Sequence, residues 1–357
     1  MIRLLASVTG PEEAEIVIAG GADFVDLKDP RLGALGAATP AVLDATLRAV
    51  AGRRPVSAVA GDLPMEPEVV VREVTARLAA DYVKIGLFPA SREARLSVIE
   101  ALRPLAAKTR LIAVFFADGD PDFDLLPVLA EAGFAGAMID TLGKASGRLT
   151  ASLSPARLWD FVRRSRGLGL MSGLAGSLEP PDVARLVVLQ PDYLGFRGAL
   201  TAGPRDGPVT LEAVRAIRAL IPVEGQGVVA TAASGAGDRI FVRDFDLPLE
   251  IGAYGHERGR KQQVRFSVEA EIDPIAPDAQ SIGAVYSYDV IIDAIRALAE
   301  GGHTDLVETL ALDLARTILA DHRVREVTVR VEKLELGPRA VGVEITRRRE
   351  AGDADRN

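Results

Sequence analysis

Five charged residues set in short apolar runs could do chemistry together. The run FVDLKDP carries Asp26 and Lys28, YVKIGLF carries Lys84, and MIDTLGKASG carries Asp140 and Lys144. A buried lysine without a partner costs several kcal/mol, so three lysines and two aspartates converging on one place are expected to pair. Pairing also tunes them. A lysine desolvated or crowded by other ammonium groups becomes an amine nucleophile that can form a Schiff base with a carbonyl, and an adjacent carboxylate can move protons. The first histidine is His256 and the chain has no cysteine, so imidazole and thiolate chemistry are unavailable to these runs. A salt bridge filling an interior is the competing account of any single Lys–Asp pair; three lysines on separate runs shift the balance to chemistry.

Those residues need elements to aim them. Strand candidates are Leu4–Val8, Phe24–Asp29, Val56–Ala60, Tyr82–Phe88, Leu111–Ala117, Gly136–Leu142, Gly169–Ser172 and Tyr193–Phe196. Between and after them lie helical stretches at Pro11–Ala19, Pro40–Val50, Glu68–Ala80, Ser91–Leu102, Asp124–Ala132, Pro155–Arg164, Glu179–Val188 and Thr210–Leu220. Such alternation implies parallel strands with crossover helices and the size of a closed (β/α)8 TIM barrel, with an open doubly wound sheet as the alternative. Barrel sites sit at the C-terminal strand ends. Period-two alternation puts Asp26 and Lys28 on one side, inside the barrel if Val25 and Leu27 face the helices. The seventh run leads into GLMSGLAGSL, with Gly173, Gly176 and Ser177, and the eighth into LGFRGAL, with Gly195, Arg197 and Gly198. Loops there with free N–H groups at a helix start cradle phosphates, and Arg197 has a fork suited to one. Tight turns alone would also account for the glycines. A phosphorylated carbonyl compound is the expected substrate.

At 357 residues the chain exceeds one ordinary domain of roughly 150 residues, and 48% hydrophobic residues suffice for two cores. The formal charge of -8 argues against nucleic acid or an anionic membrane as partner. Met1–Gly10 lacks the features of a signal peptide and no apolar run approaches the roughly 18 residues of a membrane span, so a cytoplasmic protein is expected. No metal or cofactor is called for. Residues 1–222 read as the barrel, 223–238 as a Gly-rich linker, 239–350 as a second domain and 351–357 as a disordered tail. The second domain shows strand candidates Arg239–Leu249 and Gln263–Ile272, helices Tyr288–Glu300 and Thr304–Asp321, then strands Glu326–Lys333 and Gly342–Arg347. Segregated strands and helices suggest an α+β antiparallel sheet with helices on one face, which gains burial by joining copies of itself into a homo-oligomer. Its candidates for chemistry are Glu257 in GHERGRK, Tyr288 in YSYD, Glu308 in LVETLA and Lys333 ending VTVRVEK. Each alone reads as a solvated charge or a cap.

The ordered set GGADFVDLKDPRLGALGA, YVKIGL, MIDTLGKASG and FRGAL resembles (5-formylfuran-3-yl)methyl phosphate synthase, over residues 1 to 222. The resemblance implies a barrel that condenses two molecules of glyceraldehyde 3-phosphate, one reacting as dihydroxyacetone phosphate, with loss of phosphate and water in methanofuran biosynthesis. Lys28 then falls on the Schiff-base lysine of a D-x-K motif begun by Asp26, Lys84 on a second lysine assisting isomerisation or proton transfer, and Asp140 and Lys144 on a D-x-x-x-K motif for proton transfer and phosphate departure. Residues 238 to 350 resemble dihydroneopterin aldolase, through DRIFVRDFDLPLEIGAYGHERGRKQQVRFSVEAEID and DLVETLALDLARTI. That resemblance implies a tunnelling fold with sites between subunits and a metal-free retro-aldol reaction releasing glycolaldehyde. Glu257 and Glu308 would bind the pterin, Lys333 would be the general acid/base and Tyr288 would lie near the substrate side chain. LELGPRAVGVEI after Lys333 departs from the family's Pro-rich stretch. A triose-phosphate aldolase or isomerase barrel carrying a pterin-binding, epimerising or merely oligomerising module is the alternative. The two resemblances agree, since methanofuran and tetrahydromethanopterin serve together in one-carbon transfer.

Overall fold

The structure is a computed structural model that describes residues 1–143, 147–203, 206–222, 237–254, 257–275 and 285–349. Lys144, most of the expected linker and the tail 351–357 lie outside these residues. Two compact units divide the chain, one of Met1–Leu153 with Arg157–Gln226 and one of Ser154–Ala156 with Gly227–Asn357.

In the first unit the strands are β1 (Arg3–Val8), β2 (Phe24–Leu27), β3 (Val56–Val59), β4 (Tyr82–Gly86), β5 (Arg110–Phe116), β6 (Gly136–Asp140), β7 (Met171–Leu174) and β8 (Tyr193–Phe196). They run parallel in sequence order, and β8 pairs with β1 to close a barrel, which excludes the open sheet. Three of the crossover helices start at a side-chain cap. Thr39, Ser91 and Thr210 each accept from a backbone N–H in the first turn of the helix that follows. One expected strand is displaced: β7 begins at Met171 rather than Gly169, because Gly169 takes the left-handed φ of 71° and Leu170 N–H returns to the Ser165 carbonyl.

Parity then sorts the side chains. Leu4, Ala6, Val8, Val25 and Leu27 pack outward against the helices, while Leu5, Phe24, Ile112, Met138 and Tyr193 fill an inner core. Toward the C-terminal strand ends the same inward rows turn polar, where Ser7 pairs in register with Asp26, Asp26 with Ser57, and Val59 with Lys84.

The second unit is an antiparallel sheet ordered β12-β11-β10-β9, from β9 (Asp238–Glu250), β10 (Lys261–Ile272), β11 (Val324–Lys333) and β12 (Val341–Arg348). Alternation along β10 buries Val264, Phe266, Val268 and Ala270, and the helices Tyr288–Glu300 and Val307–Leu319 bury Ile291, Ile295, Leu310 and Leu314. The opposite sheet face carries cross-strand ion pairs such as Arg265–Asp246 and Arg330–Glu344. The later helix begins at Val307 and not Thr304, because Thr304 N–H is spent on the Glu250 carbonyl. No helix among the described residues is long and apolar enough to cross a membrane.

Candidate active sites

A cavity of about 430 Å³ at the C-terminal strand ends brings Asp26, Lys28, Lys84 and Asp140 together with Gly176, Ser177, Gly195, Arg197 and Gly198. Asp26, on β2, is wholly buried and saturated. It accepts from Ser7 Oγ at 2.9 Å and Ser57 Oγ at 2.5 Å, and its Oδ1 lies 2.5 Å from Lys84 Nζ. Burial pushes the Asp26 carboxyl up, but the Lys84 and Lys28 charges and the hydrogen bonds from Lys84 and Ser57 outweigh it and hold the group below its ordinary value. Burial pulls the Lys84 ammonium down, with Lys28 reinforcing the shift and Asp26 opposing it. Lys28 is held more loosely. Its Nζ stands 3.6 Å from Asp140 Oδ2, outside hydrogen-bond range, while Asp140 Oδ1 accepts from Thr141 N–H at 2.8 Å. One cavity therefore holds a lysine locked to a carboxylate and a second, more loosely held lysine.

The glycine loops differ from their sequence reading in three ways. First, the Arg197 fork is filled: Nη1 donates to Glu13 Oε2 at 2.6 Å and Nη2 to Glu13 Oε1 at 3.2 Å, with further bonds to the Ser7 and Gly207 carbonyls. Its guanidinium thus ties the loop after β8 to the helix after β1, instead of pointing a fork at a phosphate. Second, the helix after β7 begins with Pro180 and Pro181, which have no N–H, and Glu179 and Asp182 cap each other in a capping box, so that helix start offers no donors. The N–H groups of Gly176, Ser177, Gly198 and Ala199 have no acceptor among the described residues, and these four residues line the same cavity. Ser177 holds a left-handed φ of 48°, a strain that such a loop sustains where its backbone is needed. Third, Gly173 faces the inner core, where a Cβ would stand 2.2 Å from the Tyr193 ring. Gly173→Ala is therefore expected to lower unfolding free energy by about 1–3 kcal/mol through overpacking, read by urea titration. A variant of unchanged stability but weakened substrate binding would return Gly173 to the ligand loop.

In the second unit Glu257 is buried in the β9–β10 connection. Its Oε1 lies 2.6 Å from Lys333 Nζ at the end of β11 and accepts from Gln262 Nε2 at 3.0 Å, while Oε2 accepts from Tyr254 N–H at 3.1 Å. Those bonds, led by the one from Lys333, hold the carboxyl at about 2. Lys333 is the buried ammonium of this unit among the described residues. Glu308, in the first turn of its helix, and Tyr288, 57% exposed, stand at the surface.

The family profile described as 4-HFC-P synthase matches residues 4–218. The chain belongs to this family. A protein of Methylorubrum extorquens, provisionally named a (5-formylfuran-3-yl)methyl phosphate synthase, is 44% identical over 222 residues, spanning 61% of this chain and 92% of its own. The (5-formylfuran-3-yl)methyl phosphate synthase of Methanosarcina mazei is 34% identical over 231 residues, spanning 60% of this chain and 96% of its own. The profile described as dihydroneopterin aldolase matches residues 240–346, so a domain of that family follows the synthase barrel. A crystal structure of dihydroneopterin aldolase from Burkholderia thailendensis, bound to guanine, is 29% identical, covering 32% of this chain and 93% of that one at a TM-score of 0.29.

In this 4-HFC-P synthase barrel the sequence reading missed Ser7 and Ser57, which share Asp26 with Lys84, and Glu13, which holds Arg197. Strand parity alone could have found the serines, as small polar residues in inward rows beside Asp26. In the aldolase-family domain it missed Gln262, whose amide bridges Glu257 and the Ile251 carbonyl.

Proposed function

We propose that the barrel condenses two triose phosphates into (5-formylfuran-3-yl)methyl phosphate through a Schiff base on Lys28. The observation that carries this reading is the cavity that pairs a loosely held lysine with a locked Lys84–Asp26 pair beside two open N–H pairs. Lys28 Nζ attacks the carbonyl of the first triose phosphate and water leaves. The iminium draws electrons from the neighbouring carbon, whose proton passes to the Asp26–Lys84 pair, and the resulting enamine carbon attacks the aldehyde of the second triose. Asp140, with Lys144 four residues on, serves the later proton transfers as phosphate and water depart, the ring closes, and the carbon–nitrogen bond to Lys28 breaks to free the product and regenerate the amine. The N–H groups of Gly176, Ser177, Gly198 and Ala199 receive phosphate oxygens. Borohydride reduction with dihydroxyacetone phosphate, followed by peptide mass spectrometry, tests the reading: the adduct is expected on Lys28, and an adduct on no barrel lysine sinks it.

The second domain, beyond a linker at 223–238, carries the dihydroneopterin aldolase reaction in the same reading, with the protein working in the cytoplasm. Lys333, oriented by Glu257 and Gln262, moves the proton as the carbon–carbon bond of the pterin side chain breaks to release glycolaldehyde. Tyr288 and Glu308 contribute from the surface, a wall that a second copy completes by joining at the outer strands β9 and β12. Glu257→Gln is expected to lower glycolaldehyde release from 7,8-dihydroneopterin by about 10²–10⁴-fold while furan formation by the barrel is unchanged. Equal loss of both activities would instead mark a folding defect.

A further inference from the structure

Two carboxylates outside the cavity hold the loops that leave its two reactive strands. Asp62 stands just past β3, next to β2; its Oδ2 accepts from Ala34 N–H at 3.0 Å and its Oδ1 from Leu35 N–H at 2.7 Å. Asp118 stands just past β5, next to β6; its Oδ1 accepts from Leu142 N–H at 2.8 Å and its Oδ2 from Gly143 N–H at 2.7 Å. The loop after Lys28 and the loop after Asp140 are thus clamped in the same way, each by two charge-assisted bonds from one neighbouring strand end. Gly33 makes room for the first clamp: it takes a left-handed φ of 127°, and a Cβ there would stand 2.1 Å from Asp62 Oδ2. The clamped loop then turns inward, burying Leu35 in the inner core of the barrel.

We propose that Asp62 and Asp118 are positioning residues for Lys28 and Asp140 respectively, and that by occupying these two N–H pairs they leave the loops after β7 and β8 as the phosphate acceptors. An N–H pair at a loop is a natural anion seat, and a carboxylate already in it keeps a substrate phosphate from settling beside the nucleophile. The inference rests on the Schiff-base reading and divides its steps between two residues.

Both carboxylates are exposed, so Asp62→Ala and Asp118→Ala are expected to leave the full-length chain folded, which thermal unfolding of each variant checks. Two readouts are taken with dihydroxyacetone phosphate and glyceraldehyde 3-phosphate: the rate of the borohydride-trapped Lys28 adduct, and the turnover to furan product. Displacing a reacting group by a fraction of an ångström to an ångström costs about ten- to a hundredfold. Asp62→Ala is expected to slow adduct formation by that factor, whereas Asp118→Ala leaves adduct formation intact and slows turnover by that factor. Asp→Asn at either place, which keeps one acceptor oxygen, recovers part of the loss. Unaltered rates in both alanine variants, or parallel loss of adduct and turnover in both, overturn the positioning roles. No Lys28 adduct in the unaltered protein overturns the Schiff-base reading itself, and this one with it.

Discussion

Lys28→Arg is expected to abolish furan formation, with a fall on the order of 10⁴–10⁶-fold, the scale of losing a covalent nucleophile. Arginine keeps a positive charge opposite Asp140, so the electrostatic frame that surrounds the site persists, but a guanidinium does not add to a carbonyl at neutral pH. The cavity of about 430 Å³ gives the longer side chain room. Thermal unfolding should therefore match the unaltered protein, and the borohydride adduct should vanish together with turnover. Retention of a hundredth of the turnover, with an adduct on Lys84, would move the Schiff base to β4. The geometry argues against that outcome, because Lys84 Nζ sits 2.5 Å from a carboxylate that two serines also hold, and it would have to leave a buried charge behind in order to react.

The lysines of this chain are few, standing at Lys28, Lys84, Lys108, Lys144, Lys261 and Lys333, while arginine supplies the rest of the positive charge. Lys28, Lys84 and Lys333 are buried, against the usual habit of the residue. Where a structural cation is wanted inside the barrel, as at Arg197, the chain uses arginine with a bidentate carboxylate partner. Among the described lysines, Lys108 and Lys261 are exposed and the buried ones stand at the two candidate sites, a separation of cation types that fits the proposed chemistry.

How much of this was legible follows from which contacts are local. Val25 and Leu27 face the helices, so period two alone sent Asp26 and Lys28 inward. Which lysine meets which aspartate was not legible: Lys84 reaches Asp26 and Lys28 reaches Asp140 only through barrel closure, which fixes the stagger between strands. Arg197 was misread for the same reason. Its partner Glu13 lies 184 residues earlier and resembles any acid in a first helical turn until β8 docks on β1. Gly173 was misread because β7 starts two residues late, which puts an apparent loop glycine inside the strand. In the second domain Glu257 and Lys333 are 76 residues apart, and only the β10–β11 register, with Val264 opposite Lys333, brings the end of β11 to the turn that holds Glu257.

Asp26→Asn is expected to carry the largest stability penalty of the barrel-site variants. The amide preserves shape and can still meet Ser7 and Ser57, but it leaves the Lys84 ammonium buried without an opposing charge, which costs about 3–5 kcal/mol when one partner of a buried pair is removed. The pH dependence gives the sign. The folded Asp26 carboxyl is held below its ordinary 3.8, so its contribution is fully present above that value and is lost as the pH falls through the lower folded value. The variant's deficit therefore shrinks under acid, because only the unaltered protein has that contribution to lose. Lys84 works in the opposite direction from a stabilised cation: its folded value lies below the ordinary 10.5, so the unfolded chain binds the proton more readily and stability rises with pH across the interval between them. Losing Asp26 removes the main opposing influence and widens that interval downward, so the variant should regain stability at a lower pH than the unaltered chain does. Urea titrations from acid to alkaline pH should find the deficit greatest at intermediate pH, between the loss of the Asp26 contribution in acid and the loss of the Lys84 proton in alkali, and smaller on both sides. A deficit independent of pH would mean that shape and hydrogen bonding at Asp26, and not the charge pair with Lys84, hold the centre of the barrel together.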